Sequence, residues 1–416
     1  MKIYFKQAIQ ILKQNKLMSI IAILGTALAI MMIMTIIVSE EIKNISVAPE
    51  INRNTTFYLS REVQKDTLNN STSSGYIGYA PYRDYLSQMK TPQYVSALTT
   101  GVFKLSIPGM EELNVYAKLT DEKYWNLFAF TFIEGRGYTA EEFASGVKYA
   151  VVSQSTARKV AKGENILGKD ILLNNIPYRV IGIVKDVPHI FRNAYAPIWL
   201  PYTSVPHKQK AFSVFIKAKD KKDFPAIYAE TREAEQKFNA DNKPLTIAWA
   251  GPYNHKTFAM QINANNQEEL KSKLAVQYRK KIFIFIILLL VPAINLSGFS
   301  LSRIKKRMSE IGVRKAFGAK KYVILMQVLY ENFITSLIGG ILGLLASYLV
   351  IYHMRTWLLD IPTDSNIPIN TLVSPWIFIA VFGICVIINL LSAGLPAWKA
   401  SRLPITNSIN QNDREV

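Results

Sequence analysis

Cysteine is almost missing from this 416-residue chain; Cys385 stands alone. A single thiol excludes an internal disulfide and a cysteine-built zinc site. Cys385 lies in an apolar block and reads as a small buried hydrophobe. Histidine is scarce too. His189, His207, His255 and His353 are scattered without ligand spacing, so they read as surface residues rather than metal ligands. No Ser–His–Asp spacing or paired-carboxylate site stands out, although catalytic groups can converge from distant positions. The net charge of +19 has no basic–aromatic interleaving or zinc frame around it, which argues against nucleic acid as a partner. One decoy remains, Gly163 to Asp170. It has phosphate-loop spacing until Asp170 replaces the Ser or Thr that would hold Mg²⁺. It also follows a helix and precedes a strand, the reverse of that motif's context, so it reads as a glycine-bounded turn.

What the chain does have is apolar length. Half its residues are hydrophobic, and they gather in four blocks, each long enough to cross a bilayer core of about 20 helical residues. The spacing predicts spans at 17–38, 282–301, 322–351 and 376–395. Residues 1–16 carry Lys2, Lys6, Lys13 and Lys16 without an acid, and read as a cytoplasmic amphipathic helix. The first apolar run is too long for a cleaved signal and reads as an uncleaved span. Short loops rich in Lys and Arg stay in the cytoplasm. Loop 303–321 carries eight basic residues and one acid, so both termini, including tail 396–416, are assigned to the cytoplasm. Residues 39–281 then form a large domain on the outer side. Lys271, Lys273, Arg279, Lys280 and Lys281 end it and could meet lipid phosphates.

Within the outer domain, strand–helix–strand patterns at 55–103 and 212–250 read as βαβ units framing the domain (about 50–110 and 205–270). Between them, about 115–203, lies a β-rich insert. Its clearest feature is a hairpin over Ile171 to Val184, turning at Asn174–Asn175. Asn69 to Gly75 reads as a flexible loop tip. The fold class is therefore an α-helical membrane protein with four transmembrane helices plus a large α+β extracytoplasmic domain.

Several residues single themselves out in the membrane part. Gly25 and Ala29 form a pair that would let another helix approach closely. Gly339, Gly343 and Ser347 repeat at four-residue spacing and read as a helix contact face. Glu331 and Asn332 sit near the cytoplasmic end of the third span. A charge there is costly unless it snorkels to the interface or meets a basic residue of the neighbouring loop. In the basic loop, Gly312 and Gly318 bracket Val313 to Phe317, one or two helical turns. Glu310 and Arg314 stand at i,i+4, worth about 0.2–0.5 kcal/mol if helical. Two readings compete here: a solvated loop on lipid headgroups, and a docking helix offering Val313 and Phe317 to a protein.

Four stretches carry a family resemblance. MSEIGVRKAFGAKKYVILMQVLYENFITSLIGGILG and the tail LPAWKASRLPITNSI resemble signatures of FtsX-like permeases of the MacB type, the membrane subunits of type VII ABC transporters. The segment FTFIEGRGYTAEEFASGVKYAVVSQSTARKVAKGENILGKDILLNNIPYRVIGIVKDVP resembles that family's periplasmic core domain, and FKQAIQILKQNKLMSIIAILGTALAI its N-terminal segment. The resemblance implies four spans and an outer domain with porter-like parts (the βαβ frames) and a sabre-like insert. It implies a bacterial inner-membrane permease that works by mechanotransmission, driven by a partner ABC ATPase that binds ATP and Mg²⁺. The chain itself would then be no enzyme and hold no cofactor. A second permease copy, as homodimer or related heterodimer, and a periplasmic adaptor are further implied partners. Carried over, Glu310, Gly312, Val313, Arg314, Lys315, Phe317 and Gly318 belong to the segment that couples to the ATPase. Export or efflux is the expected role. The rival is a complex of the same fold that senses an antimicrobial or controls a cell-wall hydrolase.

Overall fold

The computed structural model describes residues 16–42, 46–106, 111–161, 164–206, 211–262, 266–306 and 320–359. It also describes isolated positions at 10, 264, 312–313, 316–318 and between 376 and 398. The chain divides into two units. One is built on Lys43–Gln277, the other on Met1–Ile42, Tyr278–Leu359 and Asn366–Val416.

In the first unit, ten of the described strands make one sheet. They are β1 (Thr56–Leu59), β4 (Ile77–Gly78), β5 (Tyr94–Ser106), β6 (Leu113–Thr120), β7 (Phe132–Gly135), β8 (Tyr149–Ser153), β9 (Asp170–Leu173), β10 (Ile176–Val184), β11 (Ile198–Pro201) and β12 (Ala211–Lys217). The path runs β1-β12-β5-β6-β11-β8-β10-β7, with β4 on β12 and β9 joining β10 to β5. Three further strands, β2 (Glu62–Asp66), β3 (Ser71–Gly75) and β13 (Leu245–Trp249), form a small antiparallel sheet in the order β13-β2-β3. Helices α2 (Tyr124–Leu127), α3 (Ala140–Ser145), α4 (Gln154–Ala161), α5 (Phe224–Asp241) and α6 (His255–Ala259) complete the unit.

Local chemistry explains the hairpin. Asn174 and Asn175 adopt φ of 52° and 61°, the left-handed region that a two-residue hairpin turn requires. Tyr178 and Val180 of β10 are buried while Arg179 between them is exposed, the period of a half-buried strand. One core then runs through both halves of the unit. Val95, Leu119, Phe212, Val214 and Ile216 join Val152, Val180 and Leu200 in the same cluster, and Ile227 and Phe238 of α5 close it. Fully buried Phe212 or Leu200 contributes about 1.5–3 kcal/mol each.

The structure keeps the first expected βαβ frame and departs from the second. In the first frame, the expected helix at Tyr79 to Met89 is present over residues 79–88, wound wide at Pro81–Tyr85 and tight at Leu86–Gln88, and β1 and β5 lie parallel on either side of β12. In the second, β12 and β13 belong to different sheets. β5 of the first frame and β6 at the start of the insert pair along eight residues, so the ten-stranded sheet runs through both. The loop tip expected at Asn69 to Gly75 is largely strand. Asp66 Oδ1 accepts from the amides of Leu68 and Asn69 at 2.9 and 3.2 Å, reversing the chain so that β3 pairs with β2.

The second unit contains α1 (Lys16–Ile42), most of α7 (Gln267–Lys306) and α8 (Lys321–Leu359). Among the described residues, two helices are long and apolar enough to cross a membrane, Lys16–Glu41 and Lys321–Met354. The span expected at 282–301 falls inside α7, a continuous helix of 40 residues and roughly 60 Å at 1.5 Å per residue. The span expected at 376–395 lies largely outside the described residues, so the two described spanning helices do not establish a count of four. Tail 396–416, except Trp398, and most of arm 1–16 and loop 303–321 are likewise outside them.

Candidate functional site

The coupling segment can be followed at four of its seven expected positions. Glu310, Arg314 and Lys315 lie outside the described residues. Gly312 is buried and Val313 half-exposed, and the Phe317 amide donates to the Val313 carbonyl at 3.1 Å, one helical turn. Gly318 follows with φ of 87°, a left-handed stop that favours glycine. The Phe317 side chain is 88% exposed. A large apolar ring held out on a glycine-stopped turn has the chemistry of a docking knob. Three residues later α8 begins.

Along α8 the glycine positions are where another helix comes closest. A Cβ on Gly339 would stand 2.8 Å from Thr26 Cβ and 2.9 Å from the Ile23 carbonyl. One on Gly343 would stand 2.6 Å from the Ala27 carbonyl. Gly340, which the spacing did not single out, faces the Phe382 ring in the same way. Ser347 is buried, and its hydroxyl donates to the Leu344 carbonyl at 2.7 Å within its own helix. On α1 the approach falls at Ile23, Thr26, Ala27 and Ile30. A Cβ on Gly25 would meet nothing within 4 Å, and Ala29 is buried.

Glu331 is 3% exposed and Asn332 1%, so neither snorkels to an interface. They belong to a buried polar stripe with Gln327, Thr335 and Ser336. Part of it is satisfied within the helix: Asn332 Nδ2 donates to the Val328 carbonyl at 2.9 Å, and Thr335 Oγ1 to the Glu331 carbonyl at 2.9 Å. The four-residue spacing of Gln327, Glu331 and Thr335 was the signal that could have shown the whole stripe. At the other end of α1, Lys281 Nζ of α7 meets Glu40 Oε2 at 3.0 Å.

The first unit buries two polar nodes that sequence reasoning missed. Asp121 accepts four hydrogen bonds: from the Ser96 hydroxyl (2.7 Å), the Tyr124 amide (3.0 Å), the Ala97 amide (2.8 Å) and the Tyr82 hydroxyl (3.2 Å). Burial pushes its carboxyl up to about 6, and these donors hold the ionised form against that push. At the second node, Glu50 and Arg53 form a buried pair at 2.7 Å, and Glu50 Oε1 accepts from the amides of Asn193 and Ala194. Lys118 Nζ donates to the carbonyls of Arg192 and Asn193 at 2.5 and 2.6 Å. Burial lowers its ammonium to about 7, opposed by Glu50. Together these groups pin segment 191–194, as struts rather than as catalytic groups.

Among the described residues, no group of three His, Cys, Asp or Glu could hold a metal ion. Over the phosphate-loop decoy, Gly168 has φ of 76° and its amide donates to the Val180 carbonyl at 2.8 Å. Lys169 Nζ meets Glu164 at 2.6 Å. It is a turn leading into β9.

Family models match both parts of the chain. The MacB-like periplasmic core domain covers residues 19–234, a little over half the chain, and the FtsX-like permease C-terminal model covers residues 282–405. The chain belongs to the MacB/FtsX-like family of ABC permeases. Among relatives of this permease, the macrolide export ATP-binding/permease protein MacB of Escherichia coli K12 is 24% identical over 401 residues, 94% of this chain and 58% of that protein. Its Salmonella typhimurium counterpart is 25% identical over 355 residues, 83% of this chain and 52% of that protein. The permease thus spans about half the length of the curated relatives it matches. The periplasmic region of MacB from Actinobacillus actinomycetemcomitans aligns with 55% of this chain and 99% of that one, at 19% identity and a TM-score of 0.37. The extracellular domain of the transporter YknZ from Gram-positive bacteria covers 46% of this chain and 98% of its own, at 14% identity and a TM-score of 0.37.

Proposed function

We propose that this permease couples ATP hydrolysis by a separate ABC ATPase to motion of its extracytoplasmic domain, for export of a substrate. The observation that carries the reading is the exposed Phe317 on its glycine-stopped turn, three residues before a helix whose glycines pack closely on α1. An aromatic knob suits a groove on a cytosolic partner, and a close helix pair suits transmission of a push as a rigid unit. The basic loop faces the cytoplasm, where ATP is, and ATP and Mg²⁺ bind the partner. The unbroken α7 is the transmitting stalk into the outer domain. Two copies, with two ATPases, make the working assembly. Export is the role we favour because the relatives' names describe macrolide exporters.

The test is co-expression of the tagged permease with its ABC ATPase, comparing wild type with Phe317→Asp. We expect the variant to insert in the membrane normally while ATPase recovery falls roughly tenfold, the effect of about 1.4 kcal/mol. Undiminished recovery and undiminished stimulation of ATP hydrolysis would refute the coupling assignment.

A further inference from the structure

Arg61, Arg232 and Tyr253 gather donors without acceptors. Among the described residues, Arg61 Nε, Arg232 Nε and Nη2, and the Tyr253 hydroxyl are buried and make no hydrogen bond. A buried donor left unmade costs free energy, so a native chain rarely keeps several in one place without a use for them.

Their grouping follows from the backbone. Tyr58 bridges Tyr253 antiparallel, with hydrogen bonds of 2.8 Å in both directions, and Glu62 pairs with Trp249 in the same register. That register sets Arg61 opposite Ala250. Arg232, on α5, donates through Nη1 to the Trp249 carbonyl at 2.7 Å, one residue away. Arg232 thus bonds the Trp249 carbonyl from α5, while Arg61 stands across the strand pair from the neighbouring residue. The Tyr253 hydroxyl feels both of them, together with the Glu269 carboxylate.

Arg232 is also held in position. The same Nη1 meets Glu235 Oε2 at 2.9 Å, and Glu235 in turn accepts from the Trp249 amide at 2.6 Å. The Tyr228 ring lies 5.4 Å from the guanidinium carbon. One side of the guanidinium is thus occupied, and the Nε–Nη2 edge is left over. Two parallel N–H groups on one edge match the two oxygens of a carboxylate. Charge selects among anions. Glu235 offsets one guanidinium and Glu269 is paired with Lys273 at 2.6 Å, leaving about one positive charge. A singly charged oxyanion balances that; a phosphate dianion overshoots it. The two arginine side chains are half-buried, while the donor atoms named above and Tyr253 are buried.

We propose that Arg61, the Nε–Nη2 edge of Arg232 and the Tyr253 hydroxyl form a binding site for a monocarboxylate, either a small acid or the end of a peptide. The test is thermal unfolding of the full chain in detergent at constant ionic strength. Sodium acetate should raise the midpoint saturably, while acetamide and sodium chloride should not, and inorganic phosphate should add no saturable rise to its general salt effect. Arg61→Gln should abolish the response. Tyr253→Phe, which keeps the ring and its packing, should weaken it roughly tenfold, the effect of one lost hydrogen bond to a charge. Tri-alanine with a free carboxylate acting at lower concentration than acetate assigns the site to a peptide end; equal potency assigns it to a small acid. Equal effects of acetate and acetamide would overturn the proposal. So would a larger saturable response to phosphate, or an acetate response that survives both substitutions. None of these readouts involves the ATPase, so failure here leaves the coupling assignment standing.

Discussion

At the scale of single residues, Lys118 shows how the outer domain trades charge for rigidity. Its amino group ties two carbonyls of segment 191–194 from inside the protein, where burial lowers its pKa to about 7. The folded state therefore releases this proton earlier than the unfolded chain does. The contribution of Lys118 is complete above the ordinary lysine value and is lost as pH falls through about 7. Unfolding midpoints should accordingly rise between pH 7 and pH 9, by the equivalent of about 2 kcal/mol. Lys118→Met should flatten that slope, which a midpoint-versus-pH series reads directly. Such a node is hard to see in a sequence. Glu50, Lys118 and Asn193 are far apart along the chain, and a buried lysine is spelled like a surface one.

At the scale of elements, the clasp between α1 and α8 depends on missing side chains. A Cβ at position 343 would lie 2.6 Å from a backbone carbonyl that cannot move aside cheaply. Gly343→Val should cost about 1–3 kcal/mol as overpacking. Gly25→Ala, whose added Cβ meets nothing, should stay within about 1 kcal/mol of wild type. Thermal unfolding in detergent distinguishes the two. The α8 side of this contact was legible, because glycines four apart announce a close approach. Its α1 counterpart was not, since Ile23, Thr26, Ala27 and Ile30 look like any apolar span. Likewise Asn174–Asn175 announced their hairpin through backbone preference. The strand β3 was hidden, because its Ser, Thr and Gly residues are all exposed and carry no apolar alternation.

At the scale of the whole molecule, the sequence was readable where the bilayer imposes a pattern: two of its apolar blocks are long apolar helices among the described residues. It was less readable where the pattern is purely internal. The sequence placed an insert between two frames but did not show that β5 and β6 pair across that boundary. The ten-stranded sheet over one close-packed core is a stiff body.

Motion of the extracytoplasmic domain is the central claim, and one measurement tests it directly. In a Cys385→Ser background, a spin label at Thr72→Cys on exposed β3 reports the distance between outer domains of two copies reconstituted with the ATPase. Adding ATP and then trapping hydrolysis should shift that distance distribution by several ångströms. An unchanged distribution in a complex that hydrolyses ATP at its full rate would contradict the account.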